Sequence, residues 1–246
     1  MAGETCLQID VGNSSAKWRL LRGSEVLSRG TYVHGDAGSA EKMLACPAPA
    51  RIWVASVASP DRESGLAALL ASRWGVEPWF ARSEKQTGEL RNSYADPARM
   101  GVDRWLAMLG ARARSRDRLC VVDAGSALTI DLVASSGRHE GGYIIPGPNL
   151  MERALLLDTG RVRFDEPAEY ALGPGTGTAE AVRHGIALAQ AGAVALALQQ
   201  AGPERPQLYF CGGGGEALMA LLGGDGTLAP DLVFEGLALM AALRGN

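Results

Sequence analysis

The chain has 246 residues, of which 47% are hydrophobic and 21% charged, with a formal net charge of −3. This length can bury a sizeable core as one large or two small domains, and the composition is that of an ordinary soluble globular protein. The small negative charge argues against a nucleic-acid partner. The N-terminus lacks the basic and apolar regions of a signal peptide, and the longest apolar stretch, 186–198, is too short to predict a membrane span.

The four cysteines show neither CxxC spacing nor a histidine at ligand spacing: Cys6, Cys46, Cys120 and Cys211. Three fall in or directly beside predicted core strands, where a free cysteine packs as a small hydrophobic side chain. We therefore expect no disulfide and no cysteine metal site, and a reducing, cytoplasmic location.

The first half of the chain is predicted to open with a β-hairpin and to continue as an α/β domain. Hydrophobic periodicity and Gly or Pro breaks predict strands 7–10, 15–21, 26–32, 51–57 and 76–80, and helices 39–44, 63–74 and 103–113. Gly75 is placed to end the helix before it. Polar residues without periodicity fill 83–100, which predicts a long loop of the kind that is often functional.

The second half repeats this opening. The same signals predict strands 119–124, 128–134, 207–211 and 232–234, a Gly/Pro-rich strand and loop over 140–148, and helices 150–157, 178–200, 216–222 and 236–243. Thr178 is expected to be the N-cap of the longest helix. The predicted domains are residues 1–117 and 118–246. The run of arginines at 112, 114, 116 and 118 is interpreted as a solvated helix end or linker.

Two short segments, 7–14 and 120–127, look like copies of one another. Each is an apolar run that ends in Asp-X-Gly and a small polar residue, with Asp10 and Asp123 separated by nearly half of the chain. Glycine lets backbone approach a phosphate closely, and the N–H groups of a turn can form an anion-binding concavity. The Asp can hold Mg²⁺ directly or through its waters. The repeated pattern favours Mg·nucleotide binding over two ordinary turns.

Further residues suit a phosphoryl-transfer site. Asn13 and Ser14 can donate to phosphate oxygens, and Lys17 can point back at them. Asp103 and Arg104 follow the long polar loop, where an Asp can accept the proton of a hydroxyl substrate and an Arg can hold an anionic end. From the residues alone, a helix N-cap role for Asp103 and a surface position for Arg104 are favoured instead.

A run of four glycines, 212–215, lies at a predicted strand–helix junction. Too few residues follow it for a Rossmann domain, although bare backbone there suits an adenosine pocket. The three histidines have no accompanying Ser or Cys and acid pattern, and we assign no catalysis to His34, His139 or His184.

In combination, these motifs resemble the type III pantothenate kinases of the acetate kinase/sugar kinase/Hsp70/actin superfamily, over nearly the whole chain. The resemblance is carried by Asp10-x-Gly12-Asn13-Ser14-x-x-Lys17, Asn92-x-Tyr94-x-x-Pro97-x-x-Met100-Gly101-x-Asp103-Arg104, Asp123-x-Gly125-Ser126-Ala127-x-Thr129-x-Asp131, Gly141-Gly142-x-Ile144-x-Pro146-Gly147 and Thr178-Ala179-Glu180-Ala181. Ser14 and Ser126 stand where the family often has Thr, which keeps the hydroxyl and loses a methyl.

The resemblance implies an α/β fold of two related ribonuclease H-like/actin-like domains with a nucleotide cleft between them. It implies ATP-dependent phosphorylation of pantothenate to 4′-phosphopantothenate, the first step of coenzyme A biosynthesis. Its ATP-binding residues would be Asp10, Val11, Gly12, Asn13, Ser14, Ser15, Ala16, Lys17 and Ser126, with Mg²⁺ at Asp10, if necessary through water. Asp103 would be the proton acceptor. Pantothenate would contact Tyr94, Gly101, Val102, Asp103, Arg104 and Thr178, and Asp123 would help bind K⁺ or NH₄⁺.

Two alternatives stay open. Another small-molecule kinase or phosphatase of the superfamily would share the hairpins, but not the substrate-side segment 92–104. A non-catalytic nucleotide-binding regulator would resemble the relatives that are described as accessory factors, yet Asp10, Asp103 and Asp123 are all present. A homodimer is expected from the family, and also because helix 178–200 is apolar around most of its circumference and needs to be buried.

Overall fold

A computed structural model describes residues 4–34, 36 and 38–245. The strands are β1 (Thr5–Val11), β2 (Ser15–Arg22), β3 (Glu25–Val33), β4 (Arg51–Ser56), β5 (Trp79–Phe80), β6 (Gln86–Thr87), β7 (Leu90–Arg91), β8 (Leu119–Ala124), β9 (Ala127–Val133), β10 (His139–Pro146), β11 (Gln207–Cys211) and β12 (Thr227–Leu228). The helices are α1 (Glu41–Leu44), α2 (Pro60–Trp74), α3 (Val102–Arg114), α4 (Pro148–Asp158), α5 (Thr178–Gln200), α6 (Gly215–Leu221) and α7 (Leu232–Arg244).

The chain divides into two compact units. The first comprises residues 1–113 and 232–246, and the second comprises residues 114–231. The start of the second unit lies close to the predicted boundary after residue 117. The predicted second domain included the C-terminal helix, whereas α7 groups with the first unit because it packs on β1 and β4.

Each unit contains a five-stranded sheet, and the two sheets have the same strand order. The orders are β3-β2-β1-β4-β5 and β10-β9-β8-β11-β12. In both, the first three strands form an antiparallel meander, and the fourth strand is parallel to the first. The mixed α/β fold class is confirmed, and the two halves share one topology.

Strand periodicity decides which residues of the first hairpin are buried. Alternate β1 residues Leu7, Ile9 and Val11 belong to the core cluster that includes α1 and α2. Gln8 lies on the other face, where its Oε1 accepts a 2.7 Å hydrogen bond from Arg19, whose guanidinium lies 4.8 Å from the ring centroid of Phe234 in α7. Because side chains alternate along a strand, Asp10 lies on the same face as Gln8.

In the second unit, α5 and α6 pack on one face of the sheet. That core contains Val122 of β8, Ile130 of β9, Phe210 of β11 and Val194 of α5, all fully buried. The predicted bounds of β8, β11 and α5 are confirmed residue for residue. α5 is long and apolar enough to cross a membrane by length and composition alone, a test that core helices of soluble proteins also pass.

The predicted strand 232–234 is wrong, because these residues form the first turn of α7. A short apolar run does not distinguish strand from buried helix, and Gly236 looked like a helix start. Gly236 instead lies inside α7 at its crossing with α3, where an added Cβ would overlap the Leu106 backbone.

Smaller differences have local causes. The predicted strand 76–80 is reduced to Trp79–Phe80, since Pro78 lacks an N–H for the sheet. The N-cap of α5 is Gly177, and Thr178 is the first helical residue. Gly75 ends α2 with φ 69° as expected.

The arginine run is not simply solvated. Arg112 is buried and its Nη2 lies 3.4 Å from Glu89 Oε2, while Arg118 pairs with Glu140 and donates to the carbonyls of Ala201 and Glu204. The predicted loop 83–100 contains the β6–β7 ribbon and a 3₁₀ turn at Pro97–Arg99.

Candidate functional site

The first hairpin brings Asp10 and Lys17 directly opposite one another at the ends of β1 and β2. We call residues 12–15 beyond this pair the first tip. Gly12 N donates to Ser15 O over 3.0 Å, which closes the tip, and its two apical residues, Asn13 and Ser14, are exposed. A carboxylate and a lysine therefore flank a turn with exposed polar residues, as the phosphate-binding prediction requires.

His34 contacts the first tip, a feature that the sequence reasoning missed. Its Nε2 lies 2.8 Å from Gly12 O, and its backbone N–H donates to Ser14 O over 3.3 Å. His34 directly follows β3, whose Val33 pairs with Ser15 at the start of β2. Only the strand register, which spacing does not give, identifies this neighbour.

The second hairpin is one residue shorter than the first. Asp123 lies opposite Thr129, and Gly125 N donates to Ala127 O over 3.0 Å. In this second tip, residues 125–127, Ser126 is the single apical residue. It is exposed, as the expected contact with ATP requires.

Glycine backbone surrounds the second tip. Gly147 N donates to Ser126 O over 3.0 Å and Gly214 N donates to Ala124 O over 2.8 Å. A Cβ at Gly147 would lie 2.5 Å from Ser126 O, and one at Gly212 would lie 2.5 Å from Ala124 O and against the Asp123 carboxylate. The glycine run therefore contacts the Asp123 hairpin directly.

The predicted substrate-side segment folds into one cluster in the first unit. Arg104 is buried, its Nη1 donates to the Tyr94 hydroxyl over 3.0 Å, and its guanidinium lies 5.9 Å from the Tyr94 ring centroid. Asn92 accepts from Tyr94 N over 2.9 Å and donates to Glu84 O over 3.2 Å. The favoured surface position for Arg104 is wrong, because α3 is buried along most of its length, Arg104 included.

Asp103 lies in the first turn of α3. Its Oδ1 accepts a 2.8 Å hydrogen bond from the N–H of Arg104. Helix α3 begins at Val102, so Gly101, and not Asp103, precedes the helix. A Cβ at Gly101 would lie 2.5 Å from the same oxygen, which gives a steric reason for glycine two residues before this carboxylate.

A polar cavity of about 510 Å³ opens beside Gly101 and Val102. Its lining includes Arg99 and Arg82, and the Arg82 guanidinium forms two hydrogen bonds with Glu63, of 3.0 and 2.5 Å. Ser83 Oγ, also in the lining, donates to Met100 O over 2.9 Å. The cavity suits a small polar ligand and adjoins the predicted substrate residues.

Thr178 lies in the second unit, at the start of α5. Glu180 accepts hydrogen bonds from Thr176 N (2.8 Å) and Thr176 Oγ1 (2.9 Å), and these bonds lower the pKa of its carboxyl. Thr178 lines a largely apolar cleft of about 1140 Å³ between α4 and α5. The bonds to Glu180 order the segment that presents Thr178 to this cleft.

Across residues 4–34, 36 and 38–245, no group of three His, Cys, Asp or Glu side chains could hold a metal ion. Kinases usually bind Mg²⁺ through one or two carboxylates, with waters and substrate phosphates completing the coordination. One carboxylate, Asp10, next to a turn that suits phosphate is therefore compatible with Mg²⁺.

Two α/β units with matching sheets and Asp-bearing hairpins define the class as the acetate kinase/sugar kinase/Hsp70/actin superfamily. A Sinorhizobium meliloti protein described as a 2-dehydro-3-deoxygalactonokinase has this fold, with a TM-score of 0.62, 15% identity and coverage of 97% of this chain and 98% of that one. A Campylobacter jejuni protein described as a Baf family transcriptional activator has a TM-score of 0.61, 22% identity and coverage of 98% and 99%. At these identities the similarity concerns the fold alone.

The sequence comparisons identify the family within that class. The model of the type III pantothenate kinase family matches residues 6–200. The type III pantothenate kinase of Pseudomonas aeruginosa is 39% identical over 248 residues, covering 97% of this chain and 99% of the relative. The chain belongs to the type III pantothenate kinase family.

Proposed function

We propose that this protein phosphorylates pantothenate with ATP, giving 4′-phosphopantothenate for coenzyme A synthesis, with Asp103 as the proton acceptor. Family membership supports the reaction. The Tyr94–Arg104 cluster next to Asp103 is the observation that carries the assignment of residues. It combines a cationic group, a phenol and a carboxylate, which match the carboxylate, amide and hydroxyl of pantothenate. No feature of the described residues favours the non-catalytic regulator.

The first tip is proposed to bind the ATP phosphates. Phosphoryl transfer depends mainly on positioning and on neutralising charge. Lys17 supplies positive charge, and the tip N–H groups and the Ser14 hydroxyl supply donors. Mg²⁺, which Asp10 would hold, neutralises phosphate charge when bound. Ser126 on the second tip is also proposed to contact ATP.

Asp123 is proposed to bind a monovalent cation, K⁺ or NH₄⁺. Asp123 lies near the end of β8, and its Oδ1 and the Ala124 carbonyl oxygen both border the position that a Cβ at Gly212 would occupy. Carboxylate and carbonyl oxygens are ligands for hard cations. The donor chemistry therefore fits the proposal.

The change Asp103→Asn tests the catalytic assignment. An amide cannot accept the hydroxyl proton, so kcat should fall by about 10²–10⁴-fold. The melting temperature should change little, because Asn can still accept from Arg104 N. The measurement is kcat in a coupled assay with and without pantothenate, together with thermal unfolding. A variant with wild-type kcat would remove Asp103 from the mechanism.

We further propose a homodimer formed by α4 and α5. Large apolar side chains are exposed on these helices, with Leu157 at 66%, Leu188 at 59% and Leu196 at 55%. Leu150 and Leu155, which are also exposed, line the apolar cleft between α4 and α5, and an exposed apolar surface of this kind marks an interaction site. A second copy is the expected occupant because the family prediction is a symmetric dimer.

Light scattering tests the dimer. Leu188→Arg combined with Leu196→Arg should shift the protein to a monomer at micromolar concentration. Leu69→Arg, at a similarly exposed leucine of α2, is the matched control and should remain dimeric. A monomeric wild-type protein would contradict the proposal.

A cytoplasmic location is proposed on the chemistry of the thiols. All four cysteines are buried thiols outside any disulfide. Burial raises the pKa of the Cys6 and Cys120 thiols to about 12, so these thiols stay protonated and unreactive. Free thiols of this kind are typical of a reducing compartment.

A further inference from the structure

We propose that His34 is a positioning residue for the first tip, holding its backbone in the conformation that binds the ATP phosphates. The inference rests on the proposed phosphate-binding role of this tip. His34 is half-buried and its ring packs edge-on against Tyr32, with centroids 5.8 Å apart and an interplanar angle of 81°. The contact with Tyr32 therefore holds the imidazole ring against strand β3.

The hydrogen bonds of His34 fix two peptide planes. A carbonyl oxygen can only accept, so His34 Nε2 carries the proton in its 2.8 Å contact with Gly12 O. The backbone N–H of His34 holds Ser14 O in the same way. In a trans peptide the N–H points opposite to the C=O of the same plane. Holding these carbonyls therefore sets the directions of the Asn13 and Ser15 N–H groups.

These N–H directions matter because anion binding by a turn needs its amides aimed at one point. A tip that is already ordered loses less conformational freedom when the phosphates bind. His34 therefore acts through the turn and on nucleotide affinity. Its loss should affect MgATP binding and leave the pantothenate side, around Tyr94 and Arg104, unchanged.

The second unit shows that this support is not a general requirement of the sheet topology. The residue that follows the third strand there is Gly147, which donates its N–H to Ser126 O as His34 does to Ser14 O. Gly147 has no side chain that could hold the Gly125 carbonyl. The imidazole contact belongs to the first tip of this chain.

The test compares His34→Phe with His34→Gln. Phe keeps a ring beside Tyr32 and the backbone bond but loses the Nε2 donor, whereas Gln offers a side-chain N–H. His34→Phe should weaken binding of Mg²⁺ with a non-hydrolysable ATP analogue, and raise KM for MgATP, by roughly 2- to 10-fold, the equivalent of one net hydrogen bond. His34→Gln should restore most of the affinity, with kcat and KM for pantothenate unchanged in both variants.

His184→Phe is the matched control. It removes another imidazole–carbonyl hydrogen bond, of 2.7 Å from Nδ1 to Gly173 O in the second unit, and should leave nucleotide affinity unchanged. Equal affinity in wild type and His34→Phe would overturn the proposal, as would equal losses in the Phe and Gln variants. Calorimetric binding of the analogue separates the role of His34 from the proposed function. A wild-type protein that binds nucleotide but does not phosphorylate pantothenate would refute the proposed function, and the comparison of the His34 variants would still be valid.

Discussion

The two hairpin tips are supported in different ways, although their sheets have the same strand order. The first tip has two apical residues and is held by the side chain of His34. The second tip is one residue shorter and is enclosed by the backbones of Gly147 and Gly212. Equivalent positions after the third strand thus carry a histidine in one unit and a glycine in the other.

This difference shows that one topology can order a hairpin turn by two physical routes. A side-chain donor such as His34 contributes the net stabilisation of about one hydrogen bond. Removing it creates no steric overlap, so the backbone of the turn can keep its conformation. A glycine enclosure depends on the absence of side-chain atoms, and any added carbon overlaps backbone in a densely packed interior. The second tip should therefore tolerate substitution much less well than the first.

The largest expected effect comes from removing the carboxylate that precedes each tip. Asp10→Asn should lower kcat/KM for MgATP by about 10²–10³-fold, the loss typical of one group that stabilises transition-state charge. Asp123→Asn should instead reduce the ratio of rates in K⁺ and Na⁺ to about one, at constant ionic strength, since an amide carries no charge to attract the cation.

The two effects are measured as steady-state rates of Asp10→Asn and Asp123→Asn in K⁺, NH₄⁺ and Na⁺. Each variant is the control for the other. Asp10→Asn should keep its activation by K⁺. If both variants lost cation activation equally, the two tips would not have the separate roles that the comparison assigns to them.

The next effect concerns Gly212, which has φ +79° and no space for a Cβ beside Ala124 O and Asp123. Gly212→Ala combines left-handed backbone strain with overpacking, and should lower the free energy of unfolding by about 2–5 kcal/mol. Gly213→Ala is the matched control, because a Cβ there meets nothing within 4 Å. Chemical denaturation of both variants gives the comparison, and equal midpoints would show that the glycine enclosure is not restrictive.

Much of this architecture could be predicted from the sequence, because it depends on local patterns. The two Asp-X-Gly hairpins and helix α5 were predicted correctly, since an apolar run, a glycine turn and a long apolar helix are each visible within a few residues. The helical start of α7 was not, because Val233 and Phe234 suit a buried strand equally well until the crossing of Gly236 with α3 is known.

The candidate site was predicted less completely than the fold. Motif order placed Tyr94, Asp103 and Arg104 in one segment, and the structure joins Tyr94 to Arg104. The contacts of His34 with Gly12 and of Gly212 with Asp123 depend on register and on strand order between distant segments. Residue spacing carries no information about such contacts, and the roles of all these residues remain predictions.

The smallest effects in this comparison are expected at Gly147 and His34, the residues that follow the third strand of each sheet. The Gly147 φ of −71° is open to any residue, so Gly147→Ala adds only steric overlap, at 2.5 Å from Ser126 O and 2.6 Å from Gly125 O. Overpacking of this kind should cost about 1–3 kcal/mol of unfolding free energy. His34→Ala, at the equivalent position of the first unit, should cost less, because it removes contacts without creating overlap. Thermal unfolding of both variants shows which of the two loses more stability. Gly160→Ala is the control, because a Cβ there meets nothing within 4 Å. A Gly147→Ala protein more stable than His34→Ala would contradict the claim that the glycine enclosure of the second tip is the less tolerant support.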